Sequence, residues 1–138
     1  LLDVATGSER RVTTQRFADC YATWSPDGGR LVYAAQSVTD FDIVSWDVAT
    51  GAETTLMDTN VDEAFPVLSP DGHWLAYQSE TSRGTWGIGV AGSDGSGPTP
   101  LIESVGWDTK PAWRPTNVVS VAQEGQRRPA LLGAIKRP

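Results

Sequence analysis

Short apolar runs separated by turn-forming residues set the pattern of this chain. Tyr21-Ala22-Thr23-Trp24 and Leu31-Val32-Tyr33-Ala34-Ala35 flank Ser25-Pro26-Asp27-Gly28, while Phe65-Pro66-Val67-Leu68 and Trp74-Leu75-Ala76-Tyr77 flank Ser69-Pro70-Asp71-Gly72. The flanks are aromatic and β-branched, as strands are. In the centre, proline presets φ for the second turn position and glycine takes the position that needs positive φ, so each motif predicts a hairpin. Phe41 to Val48 alternates approximately with period two and leads through Ala49-Thr50-Gly51 into Glu53-Thr54-Thr55-Leu56-Met57, a second hairpin.

The two hairpins recur together. Asp3-Val4-Ala5-Thr6-Gly7 returns as Asp47-Val48-Ala49-Thr50-Gly51, and Ser25-Pro26-Asp27-Gly28 as Ser69-Pro70-Asp71-Gly72, each 44 positions on. The same displacement pairs Leu31 with Leu75 and Tyr33 with Tyr77. A degraded third copy sets Pro111-Ala112-Trp113-Arg114-Pro115 against Pro66-Val67-Leu68-Ser69-Pro70, 45 positions on. Each unit is therefore expected to supply four strands. Runs such as Leu31 to Ala35 are apolar on both faces, and no amphipathic helical segment is available to cover them. Neighbouring sheets must do so, which is the arrangement of blades in a β-propeller.

The stretch Ala22-Thr23-Trp24-Ser25-Pro26-Asp27-Gly28-Gly29-Arg30-Leu31-Val32-Tyr33 and its echo Pro66 to Tyr77 resemble the WD40-like PD40 repeat of TolB-type propellers. The resemblance covers roughly residues 1–122. It implies an all-β fold and a location in the periplasm or outside the cell, and leaves function open, because the same repeat also serves in prolyl-oligopeptidase-like and tricorn-like proteases.

The units divide into outer strands in 1–16, a full blade in 21–58, a second in 65–102, and inner strands in 111–122, followed by a tail, 123–138. That is about three blades, where closed rings have about four to eight. Exposed blade faces and edges are an aggregation hazard. Two solutions are expected: the chain is part of a longer one, or a homo-oligomer closes the ring, for instance two chains completing each other's split blades.

Composition adds limits. The 138 residues hold 11 basic and 17 acidic side chains, one histidine and one cysteine. The lone Cys20 excludes an internal disulfide and a Cys-rich zinc site. Apolar stretches of only a few residues predict no transmembrane helix. Residues 1–122 contain 7 basic and 16 acidic groups, a balance of −9 that repels phosphate and argues against nucleic acid. The tail carries Arg127, Arg128, Lys136 and Arg137 against Glu124, a balance of +3. It is read either as a linker or as a contact for a partner, the acidic propeller or an anionic surface.

An acid stands before each inner strand: Asp19, Glu63 and Asp108, spaced 44 and 45. In propellers of this kind the corresponding loop lies near a channel mouth, so these carboxylates form either part of an acidic ring for a basic group or backbone-fixing loop acids. Trp107, beside Asp108 in the expected loop, is the candidate exposed aromatic contact. Trp24, Trp46 and Trp113 are assigned to the core between blades. His73 follows a turn where the first unit has Gly29, which argues against catalysis. The chain has no Gly-x-Ser-x-Gly elbow, and Gly92 to Gly97 lacks the lysine and following helix of a phosphate loop.

The expected function is therefore non-catalytic: a scaffold that binds a protein or peptide partner through Asp19, Glu63, Trp107 and Asp108, with no catalytic residue, cofactor or metal. The alternative is the propeller portion of a prolyl-oligopeptidase-like or tricorn-like serine peptidase whose hydrolase domain lies outside this sequence.

Overall fold

A computed structural model describes residues 1–13, 17–81, 84–102, 107–114, 118–124 and 130–131. Its strands are β1 (Asp19–Trp24), β2 (Arg30–Gln36), β3 (Phe41–Asp47), β4 (Glu53–Met57), β5 (Glu63–Leu68), β6 (Trp74–Glu80), β7 (Trp86–Gly92), β8 (Thr99–Ile102), β9 (Trp107–Arg114), β10 (Val118–Glu124) and β11 (Ala130–Leu131). No helix occurs among the described residues. The fold is all-β, with propeller blades as the unit.

The first blade is the antiparallel meander β1-β2-β3-β4 and the second is β5-β6-β7-β8. The third comprises β9, β10 and the short β11, joined to the second by a single parallel pairing of Trp86 with Trp107. β10 continues through Glu124, and β11 takes Ala130 and Leu131 from what the sequence suggests is tail. Ahead of the first blade, residues 1–13 contain one antiparallel bridge, Leu2 to Glu9, in place of two full outer strands. Its equivalent 44 positions later is Trp46 paired with Glu53.

Repeated side-chain chemistry makes the repeated turns. The Ser25 hydroxyl donates to Asp27 Oδ1 at 2.6 Å and accepts from the Arg30 N–H at 2.8 Å, while Ser69 donates to Asp71 Oδ1 at 2.6 Å and accepts from the Trp74 N–H at 3.0 Å. Gly28 and Gly72 follow with φ of 71° and 73°, left-handed values that cost a residue with a Cβ considerably more. In the other hairpins, Gly7 N–H reaches the Asp3 carbonyl at 2.7 Å and Gly51 N–H the Asp47 carbonyl at 2.9 Å.

Alternation along each strand then builds the core. Leu31, Tyr33, Ala35, Val44 and Trp46 form one buried face of the first blade, against which Val12 of the leading hairpin packs. Its other face contributes Val32, Ile43 and Met57 to a cluster with Leu68, Leu75, Tyr77 and Ala91 of the second blade. Ile88, on the far face of the second blade, meets Trp113 of the third. Fully burying a side chain such as Ile43 or Leu75 contributes about 1.5–3 kcal/mol, so these seams hold the blades face to face.

Equivalent positions thus look toward the preceding blade. Leu68 is buried and Trp113 half-buried there, but Trp24 is 50% exposed, because the leading hairpin of 1–13 supplies no inner strands to lie over it. Within this chain Trp24 is therefore exposed where core was expected, on a blade face with no described neighbour. Trp46, at 4% exposure, is core.

Candidate binding surface

The first strands of the three blades, β1, β5 and β9, share a defect at the same place. Between Cys20 and Thr23 the pairing with β2 slips, so that Tyr21 and Ala22 oppose Tyr33. Phe65 and Pro66 oppose Tyr77 in the second blade, and Lys110 and Pro111 oppose Val121 in the third. The extra residue is a β-bulge, which bends the strand and re-aims a side chain. Its first residue is left-handed each time: Tyr21 at φ 57°, Phe65 at 49° and Lys110 at 55°. None is glycine, so each carries a backbone cost of about 1–3 kcal/mol.

These three side chains form a row. The Tyr21 and Phe65 rings lie 3.8 Å apart between centroids with planes tilted by 31°. The Lys110 ammonium stands 5.6 Å from the centre of the Phe65 ring, within range of a cation–π attraction. Beside the row runs a groove of about 250 Å³, lined by the bulged segments of all three strands, including Thr23, Pro66, Val67 and Pro111. Tyr21 is 47% exposed. The surface offers two aromatic faces, apolar walls and a lysine ammonium.

The predicted acids sit two residues before each bulge, at the first or second position of the strand and not in the loop before it. Equal spacing does not make them equivalent. Asp19 is half-buried, with Oδ1 enclosed and unpaired. Glu63 is 1% exposed: Thr59 donates its hydroxyl to Oε1, and Oε2 has no partner. Burial, reinforced by Asp42, Asp40 and Asp58, pushes its pKa up to about 7, against the pull of the Thr59 hydrogen bond. Burial likewise raises Asp42, with Asp40 and Asp58 adding to the shift.

Trp107 and Asp108 open β9, paired with Glu124 and Gln123 of β10. The expected loop around them is strand; their side chains lie outside the described residues. So do Arg127, Arg128, Lys136 and Arg137. Cys20 is half-buried, and burial, with Asp19 second, raises its thiol pKa. His73 is an exposed turn residue with Nδ1 3.5 Å from Asp71 Oδ1. No group of three or more metal-ligating side chains comes together among the described residues, and no helix there is long and apolar enough to cross a membrane.

Sequence reasoning passes over the row itself. Tyr21, Phe65 and Lys110 recur at the repeat spacing but differ in type, so they do not read as a motif. The available signal is Pro66 and Pro111, since proline inside a strand is confined to edges and bulges.

No family model matches the chain, and no curated protein does. Solved structures do. The structure of a putative TolB from Agrobacterium tumefaciens is similar at 28% identity and a TM-score of 0.70, over 83% of this chain and 42% of that one. TolB from Acinetobacter baumannii superposes with a TM-score of 0.76 at 19% identity, over 91% of this chain and 32% of that one. The tricorn protease aligns at 17% identity and a TM-score of 0.68, over 87% of this chain and 12% of that one. The chain has a TolB-type β-propeller fold and spans less than half the length of each of these structures.

Proposed function

We propose that this chain is a non-catalytic binding scaffold that docks an extended peptide segment of a partner protein along the bulged strands β1, β5 and β9. The observation that carries the reading is the row Tyr21, Phe65, Lys110 above its groove. Aromatic rings supply large contact area at low entropic cost, and a single lysine in an acidic body selects a carboxylate beside the apolar contact. The ligand chemistry is therefore an apolar or aromatic side chain lying over Tyr21, with a carboxylate toward Lys110. Asp19 on β1 and Trp107 and Asp108 at the start of β9 flank the same edge and extend the contact surface. Glu63, expected as a partner contact, is 1% exposed and is not part of that surface. The basic residues Arg127, Arg128, Lys136 and Arg137 supply a second, charge-based contact. The compartment that goes with this reading is the periplasm or the cell exterior.

The inner strands of a further blade cover Trp24 in the closed ring, supplied by more of the same chain or by a second copy. The likeness to the tricorn protease supports a second reading, the propeller part of a serine peptidase, in which the same groove meets substrate peptides before a hydrolase domain does.

Selection of this chain against a random peptide library tests the scaffold. Enriched peptides are expected to pair a large apolar residue with a carboxylate, and to bind Tyr21→Ala and Lys110→Ala at least about tenfold more weakly, the loss of one good contact. Unaltered binding by both variants, at unchanged thermal stability, refutes this use of the groove.

A further inference from the structure

Away from the groove, the seam between the first two blades buries a carboxyl group without the partners a carboxylate needs. Glu63 begins β5 at 1% exposure, with Oε1 accepting from Thr59 and Oε2 unpaired. The groups facing it are acidic or neutral: Asp42 on β3, itself with an enclosed and unpaired Oδ1, Asp40 in the β2–β3 turn, Asp58 after β4, and the buried phenol of Tyr77 on β6. Among the described residues no basic side chain acts on it. The adjacent Asp62 is a strut across the seam, its Oδ1 accepting the Phe41 N–H at 2.9 Å.

An ionised carboxylate in such a place loses its hydration and meets like charge. A protonated one gains an O–H donor and removes the repulsion. We propose that Glu63 is a proton-operated latch on this seam: protonated, it lies closed between the blades, and ionised, it drives the 58–63 connection toward water and releases the Asp62 strut from Phe41. The raised pKa places the change near neutrality, so ordinary shifts in the pH of the surroundings reach it.

The sign follows from linkage. A carboxyl whose folded pKa lies above its unfolded value stabilises the fold relative to the ionised state below the unfolded pKa, and this stabilisation is lost as pH rises through the folded pKa. The window therefore runs from 4.5, the ordinary glutamate value, to about 7.

The experiment follows the unfolding equilibrium and the hydrogen exchange of the Phe41 amide from pH 5 to 8.5 in this chain, in Glu63→Gln, and in Asp42→Asn, which keeps the latch but removes a repelling charge. The Gln variant is expected to gain on the order of a hundredfold in folded-to-unfolded ratio over the parent between the ends of that range, and to keep Phe41 protected at high pH. Asp42→Asn should move Glu63 ionisation to lower pH and shrink the stability lost as pH rises, because the closed seam then tolerates the ionised carboxylate better; the decisive reading is that Phe41 protection in this variant exceeds the parent's at pH 8. Equal slopes in parent and Glu63→Gln, or Phe41 exchange that ignores both substitutions, overturns the latch. Recovery of the parent at pH 8 by millimolar calcium, absent in Glu63→Gln, overturns it also, by making a cation the occupant.

Discussion

The indole N–H of Trp113 donates to the carbonyl oxygen of Val67 at 3.0 Å, fixing the third blade to the inner strand of the second. Trp24 occupies the equivalent position of the first blade and is 50% exposed. Replacing Trp113 by Phe is expected to cost about 0.5–1.5 kcal/mol, since it removes one hydrogen bond between the blades. Replacing Trp24 by Phe should change stability by less than about 0.5 kcal/mol. Urea unfolding of the two variants measures the contrast, and equal costs would show that the two tryptophans have the same surroundings.

Ser69 → Ala probes the repeated turn. Ser69 is 1% exposed, and its hydroxyl serves both Asp71 and the Trp74 N–H. Its loss leaves a buried donor unpaired, at a cost of about 1–3 kcal/mol. The Asp71 pKa is held below the ordinary 3.8, first by the Ser69 hydroxyl and then by the His73 N–H. A depressed carboxyl contributes stability that is present above its unfolded pKa and is lost as pH falls through the folded one. Acid titration of Ser69→Ala should therefore show a weaker loss of stability below pH 3.8 than the parent chain does.

Gly95→Ala tests how closely the blades approach. Gly95 has φ 86°, and a Cβ there would stand 2.1 Å from the carbonyl oxygen of Leu56 on the first blade. At Gly97, φ 59°, nothing lies within 4 Å of the same atom. The Gly97 change should cost about 1 kcal/mol, from backbone conformation alone, and the Gly95 change at least 2 kcal/mol, as other overpacked sites do. Thermal denaturation in parallel separates the two.

Arg10→Ala addresses the leading hairpin. The guanidinium lies 4.6 Å from the centre of the Trp46 ring and reaches the Val48 carbonyl at 3.4 Å. Removing it should cost about 0.5–1 kcal/mol and shift Trp46 fluorescence to the red as the ring meets water. An unchanged spectrum would mean that the hairpin does not depend on this contact.

Much of the fold is legible because local chemistry repeats. Ser25 and Ser69, or Asp3 and Asp47, each make their turn with bonds to residues at most five positions away, so a motif in the sequence is already a structure. The candidate surface is less legible because it arises between repeats. Tyr21, Phe65 and Lys110 meet only when three bulged strands lie side by side, and no spacing within one repeat announces a left-handed residue. Glu63 reads as the equivalent of Asp19, yet the seam encloses the first and leaves the second half-buried. Trp24 departs from Trp113 for the same reason: burial depends on which blade lies opposite, and that information is not in the residue's own repeat.

The pairing of Trp86 with Trp107 makes the second and third blades one continuous hydrogen-bonded ribbon. The first blade meets the second through side chains, with Phe41 held by Asp62 and Arg30 reaching the Ser93 carbonyl at 3.5 Å. Under mechanical load the molecule should then part at that first junction, the second and third blades coming away as a single piece.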